Sequence, residues 1–149
     1  MISFGQYLYF YKYCADLLQN TEITERLYLM YTVKSLRNAC AHNNCIINDI
    51  NSTHNKSINA DLSRECAKFI KSPSSRRRHL GHISTYQILT TMYAHQRICI
   101  STGVHQHLCG ELDKLKKRFF RDNDYRLHDN IKATFNVLIR AIDTWFHIR

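Results

Sequence analysis

One proline and four glycines in 149 residues leave few points at which a helix is forced to stop, since these two residues are the strongest local punctuators of structure. Alternating apolar and polar runs are almost missing as well, and long segments repeat instead at 3.6 residues. An all-α protein follows, a helical bundle of five to six helices. No apolar run approaches the roughly 18 residues that span a bilayer, and no basic-then-apolar leader with a small-residue cleavage site opens the chain. The expectation is a soluble, cytoplasmic protein with no membrane partner. Six cysteines are present (Cys14, Cys40, Cys45, Cys66, Cys99, Cys109) but no C-x-x-C pair. Most fall on apolar helix faces, where a reduced thiol packs as a small hydrophobe, so no disulfides are expected. A glycine-rich phosphate loop is also missing, as is a pair of carboxylates near any cluster of polar residues. A chain of this length forms one domain, 1–149, large enough to bury a sizeable core.

Positive charge is abundant. The formal net charge is +9, which favours contact with polyanions, although a run of charge is most often a solvated face. Residues 1–72 carry eight Lys and Arg against six Asp and Glu, whereas residues 73–149 carry thirteen against six. The surplus lies in the second half.

The spacing predicts a first helix over Phe4 to Leu18, aromatic around most of its circumference and therefore expected to be largely buried in the core or in a dimer interface. Asn20 and Thr21 then offer an N-cap, with Glu22 and Glu25 suited to the positive end of a helix. A second, widely buried helix follows and carries Leu36-Arg37-Asn38-Ala39-Cys40-Ala41-His42-Asn43 at its C-terminal end. From Asn43 to Asn59 the composition turns to Asn, Ser, Thr and His and reads as a loop. Asn59 or Asp61 can cap a third helix bearing Leu62, Cys66, Phe69 and Ile70, which stops at Ser72-Pro73. Pro73 to Arg78 reads as a basic turn whose Arg76, Arg77 and Arg78 are candidates to grip RNA phosphates. Further helices are expected from Ile83 to Ser101, closed by Gly103, then along the Leu108, Leu112, Leu115 and Phe119 stripe, and finally from about Leu127 to the C-terminus. Asp122 to Asp124 makes the turn before the last.

His95, His105, His107 and Cys109 fall within fifteen residues, but not in the paired spacing of structural zinc sites. No metal is expected. Cys40 and His42 are the residue types of a nucleophilic pair, yet two residues apart on a helix they point about 160° from each other, so Cys40 is assigned to the core. What remains is Arg37, Asn38 and His42. At about 100° per residue, Asn38 and His42 share a face about 40° apart while Arg37 points about 140° from His42. Either the backbone bends after Asn38, or Arg37 and His42 meet their counterparts across the two-fold axis of a dimer. The second arrangement is favoured.

The run from Leu36 to His42 resembles the L-R-N-x-C-A-H signature of the Abi family of abortive-infection proteins, part of the HEPN group of helical ribonucleases. Upstream, Ser3-Phe4-Gly5 and the aromatic helix behind it are similar to the S-F-G segment of that family, so the likeness covers residues 3 to 43. It implies an HEPN-like bundle, here the C-terminal part of a longer protein, that dimerises with its Arg-x4-His motifs facing each other. It also implies a metal-independent, cofactor-free endoribonuclease acting as a toxin or anti-phage effector, with RNA as substrate and room for a neutralising partner. Arg37 would bind phosphate, Asn38 would be the polar residue that follows it, His42 would be the acid or base, and Asn43 would contact RNA.

The chemistry can be stated without the family. Cleaving RNA without a metal requires taking the 2′-OH proton, countering charge on the phosphorane and protonating the 5′-oxygen. An unperturbed imidazole titrates near pH 6.5 and can do the proton work, whereas a guanidinium stays charged and offers two parallel donors to phosphate. The residues leave open a non-catalytic RNA-binding or protein-interaction module of the same fold, and a simple helix-end role in which both cations suit the negative dipole.

Overall fold

A computed structural model describes residues 2–42, 57–120 and 129–147. All regular structure among them is helical: α1 (Phe4–Leu18), α2 (Thr21–Ala41), α3 (Ala60–Cys66), α4 (Pro73–Gly81), α5 (Ile83–Ile98), α6 (Thr102–Phe120) and α7 (Asp129–Trp145). The described residues thus contain seven helices rather than five or six. No helix among them is long and apolar enough to cross a membrane.

Local capping explains where most helices begin. Ser3 Oγ accepts from the Gln6 N–H at 3.2 Å while Gln6 Oε1 accepts from the Ser3 N–H at 2.9 Å, a reciprocal box that satisfies two otherwise orphaned donors. Asn20 Oδ1 takes the Ile23 N–H and Asn59 Oδ1 the Leu62 N–H, so of the two residues able to cap α3 it is Asn59 that does.

Three expected boundaries are corrected. Helix α3 ends at Cys66, so Phe69 and Ile70 reach the core from the turn that follows and not from a helix running to Ser72. Pro73 to Arg78 is not a turn but the start of α4: Ser72 Oγ accepts from the Ser75 N–H and proline sits at the first helical position, where its missing N–H costs nothing. Gly103 does not close a segment. The helix before it ends at Ile98, Cys99 is extended, and α6 starts at Thr102. Only His82, also extended, separates α4 from α5. The expected turn at 122–124, the start of the last helix near Leu127 and most of the 43–59 loop lie outside the described residues.

Helix α5 is the centre of the bundle, in contact with α2, α3, α4 and α7. Its Leu89 has no exposed surface, and Met92, Tyr93 and Ala94 pack in the same core with Leu62, Leu80 and the α7 face of Phe135, Leu138, Ala141 and Ile142. Trp145 closes one end edge-on to Phe69, ring centres 5.1 Å apart, with Gln96 donating to its carbonyl. At the other end Phe119 stacks on Phe135 at 4.4 Å, and nearer Trp145 Lys116 pairs with Asp143 to tie α6 to α7.

Helix α1 corrects the expectation of burial. Only Leu8 and Ala15 are buried, against α2, whereas Tyr9 is 74%, Phe10 65%, Tyr13 63% and Leu17 68% exposed. Those four side chains leave on the order of 500 Å² of largely apolar surface in water, at the upper end of what a monomer shows. Helix α2 likewise buries only Leu27 and Leu29. Cys40 is exposed, not core, while Cys66 and Cys109 are buried thiols. Burial pushes Cys66 up to about 12, which leaves it unreactive.

Buried His79 gives the fold a pH dependence. Burial, then the neighbouring Arg78 and His82, holds its imidazole below the usual 6.5, and its Nδ1 has no hydrogen-bond partner among the described residues. A base whose pKa falls on folding takes up protons more readily in the unfolded chain, so its contribution to stability is full above about pH 6.5 and shrinks as pH falls below that value. His95, pushed down by burial and by His105, acts in the same direction. The urea midpoint is expected to drop between about pH 7.5 and 5.5, and His79→Gln to flatten part of that slope. A slope unchanged in the variant would remove His79 as the cause.

Candidate functional site

The site is built on the last two turns of α2. The helix runs unbroken to Ala41, so the backbone does not bend after Asn38. His42 is the C-cap, at φ −94° and ψ 14°, and its N–H donates to the Asn38 carbonyl at 3.0 Å. The imidazole is thereby placed at the helix end with its side chain exposed. Arg37 leaves the helix on another face, but its length compensates: Nη1 reaches back to donate to Asn38 Oδ1 at 3.1 Å. The carboxamide is therefore the joint of the group. It holds the guanidinium through its side chain and the imidazole residue through its backbone.

Asn38 also ends a cleft of about 940 Å³ with a mixed lining, formed among the described residues by Tyr28, Leu29, Tyr31, Thr32, Lys34 and Ser35 of α2, by Ser57 and Asn59, and by Tyr86 of α5. Lys34 lies across Gly5 of α1, where a Cβ would come within 3.3 Å of its Nζ. The glycine after the Ser3 cap is what lets the lysine run so close to α1. Tyr28, Tyr31, Lys34 and Ser35 were not among the sequence candidates, because the cleft exists only once α5 and the segment before α3 stand beside α2.

The basic cluster is divided. Arg76 turns inward, with Nη1 donating to the Ile70 carbonyl at 2.9 Å and Nε to Ser63 Oγ at 3.3 Å, so it ties α4 to the end of α3. Arg77 and Arg78 are exposed. None of the three lines the cleft at Asn38. Asn43 lies outside the described residues.

His95 Nε2 and His105 Nδ1 are 3.4 Å apart with their rings stacked beside Phe146. One nitrogen donates and the other accepts. No group of three His, Cys, Asp or Glu side chains among the described residues is disposed to hold a metal ion. Comparison with known proteins matched no family model, no curated protein and no solved structure.

Proposed function

We propose that this chain is a metal-independent endoribonuclease of the HEPN type, similar to the Abi abortive-infection proteins, and that it acts as a cytoplasmic toxin or anti-phage effector. What supports this is one arrangement: the Arg37 guanidinium held on Asn38, one turn before an exposed His42 at the end of the same helix. In the proposed reaction one His42 takes the 2′-OH proton and the 2′-oxygen attacks phosphorus. The P–O5′ bond breaks, the 5′-oxygen is protonated by the partner's His42, and Arg37 counters the phosphorane charge. The products are a 2′,3′-cyclic phosphate and a 5′-hydroxyl. A homodimer supplies the second imidazole, and the exposed aromatic half of α1 provides apolar area for association.

Exposed Arg77 and Arg78 favour one rival, a non-catalytic module of the same fold that binds RNA with steep salt dependence and leaves it intact. Incubation of the purified protein with single-stranded RNA in EDTA separates the two. Fragments carrying cyclic phosphate and 5′-hydroxyl ends are expected from a protein that sediments as a dimer. Intact RNA, or cleavage that EDTA abolishes, overturns the proposal, as does a monomer that cuts RNA fully.

A further inference from the structure

The cleft beside Asn38 has the composition of a single-stranded nucleic-acid site, and its position relative to His42 is fixed by helix geometry. At about 100° per residue, Tyr28, Tyr31, Ser35, Asn38 and His42 fall within an arc of about 80° on α2. The stripe rises about 1.5 Å per residue, or about 21 Å from Tyr28 to His42. Among the described residues that line the cleft, three are tyrosines, one is a lysine and none is acidic. Tyr28 is 66% exposed, so a face of its ring is open to a ligand. Lys34 has no carboxylate partner among the described residues. The hydroxyls of Thr32 and Ser35 donate to the Tyr28 and Tyr31 carbonyls of their own helix, which leaves their oxygens as acceptors.

A groove whose described lining offers tyrosine faces, a cation and no carboxylate suits a chain of unstacked bases joined by phosphates. A duplex keeps its bases stacked inside and cannot present them to Tyr28. A volume of about 940 Å³ is at the upper end of small-molecule pockets, with room beyond one nucleotide.

We infer that this stripe is a track for single-stranded RNA that leads the strand to His42: a base stacks on Tyr28, the next lies along Tyr31, Lys34 at the edge of the stripe neutralises the phosphate beyond Tyr31, and the Asn38 amide nitrogen donates to the strand as it reaches the imidazole. The inference rests on the nuclease proposal for the identity of the polymer, but not for its test. Unpaired RNA is then the preferred substrate, and Tyr28 and Lys34 are binding residues rather than catalytic ones.

The test is fluorescence anisotropy of the full chain with a short 2′-O-methylated RNA, which has no 2′-OH nucleophile and cannot be cut. Tyr28→Ala is expected to weaken binding by about five- to a hundredfold, the worth of one base stack, while Tyr28→Phe retains it. Lys34→Gln is expected to lower the slope of log affinity against log salt by about one, and the same sequence as a duplex is expected to bind more weakly. Wild-type affinity in the Tyr28→Ala, Lys34→Gln double variant overturns the track, as does equal displacement of the RNA by polyglutamate, which would mark a general anion surface. If unmodified RNA is cut while these variants bind normally, the track fails and the nuclease stands. If the methylated RNA binds as expected but unmodified RNA is never cut, the track stands and the nuclease fails.

Discussion

Replacing His42 with alanine is expected to slow RNA cleavage by about 10²- to 10⁴-fold, the range that a positioned acid or base contributes. The loss should come without damage to the fold. His42 lies at the end of α2 with its side chain exposed, and what anchors it is a backbone N–H that alanine also has. Single-turnover rates in EDTA and a melting curve on the same sample read the two effects separately. Arg37→Lys keeps the charge but not the planar fork, so it should fall between wild type and Arg37→Ala. Asn38→Ala leaves the proton-transfer group in place and releases the guanidinium from its 3.1 Å bond, so its effect should overlap that of Arg37→Ala instead of multiplying it. Cleavage at the wild-type rate in His42→Ala would remove the imidazole from the mechanism.

Leu89→Ala is expected to cost about 2–5 kcal/mol of stability, the range for truncating a leucine in a packed core. Leu89 has no exposed surface and sits on α5, which meets α2, α3, α4 and α7. With a denaturant slope of about 1–3 kcal/mol per molar for a small protein in urea, the midpoint should fall by on the order of 1–2 M. Asn136→Ala, at an exposed position of α7, provides the contrast and should stay within about 0.5 kcal/mol. A comparable loss in both would mean that the outer face of α7 is packed far more closely than its exposure indicates.

The all-helical class and the starts of α1, α2 and α3 are legible in the sequence because each start carries a capping side chain beside an apolar period, whereas the end of α3 is not, since Phe69 and Ile70 continue the period beyond Cys66, where the helix stops. Helix α4 is harder to read. Pro-Ser-Ser-Arg-Arg-Arg has no apolar stripe at its start, and part of what holds it is Arg76 reaching Ser63 and the Ile70 carbonyl, contacts between residues six and thirteen positions apart. The exposure of α1 and of Cys40 is equally hidden, since periodicity shows which residues are apolar but not which side has a neighbour. For the candidate site, the angle between Arg37 and His42 follows from the helix, but a rotation angle ignores the length of an arginine. The contact with Asn38 appears only with the side chains in place. The cleft brings Tyr28 together with Asn59 and Tyr86, and no local pattern joins those positions.

The first helix rests on the molecule along one side, through two buried residues. Such an element belongs to the low end of the range of local opening energies, able to lift away while the α5 core remains intact. Gly5 would leave with it, removing the surface beside which Lys34 Nζ lies. A helix that is largely exposed to solvent therefore also borders the cleft, through Gly5 and Lys34.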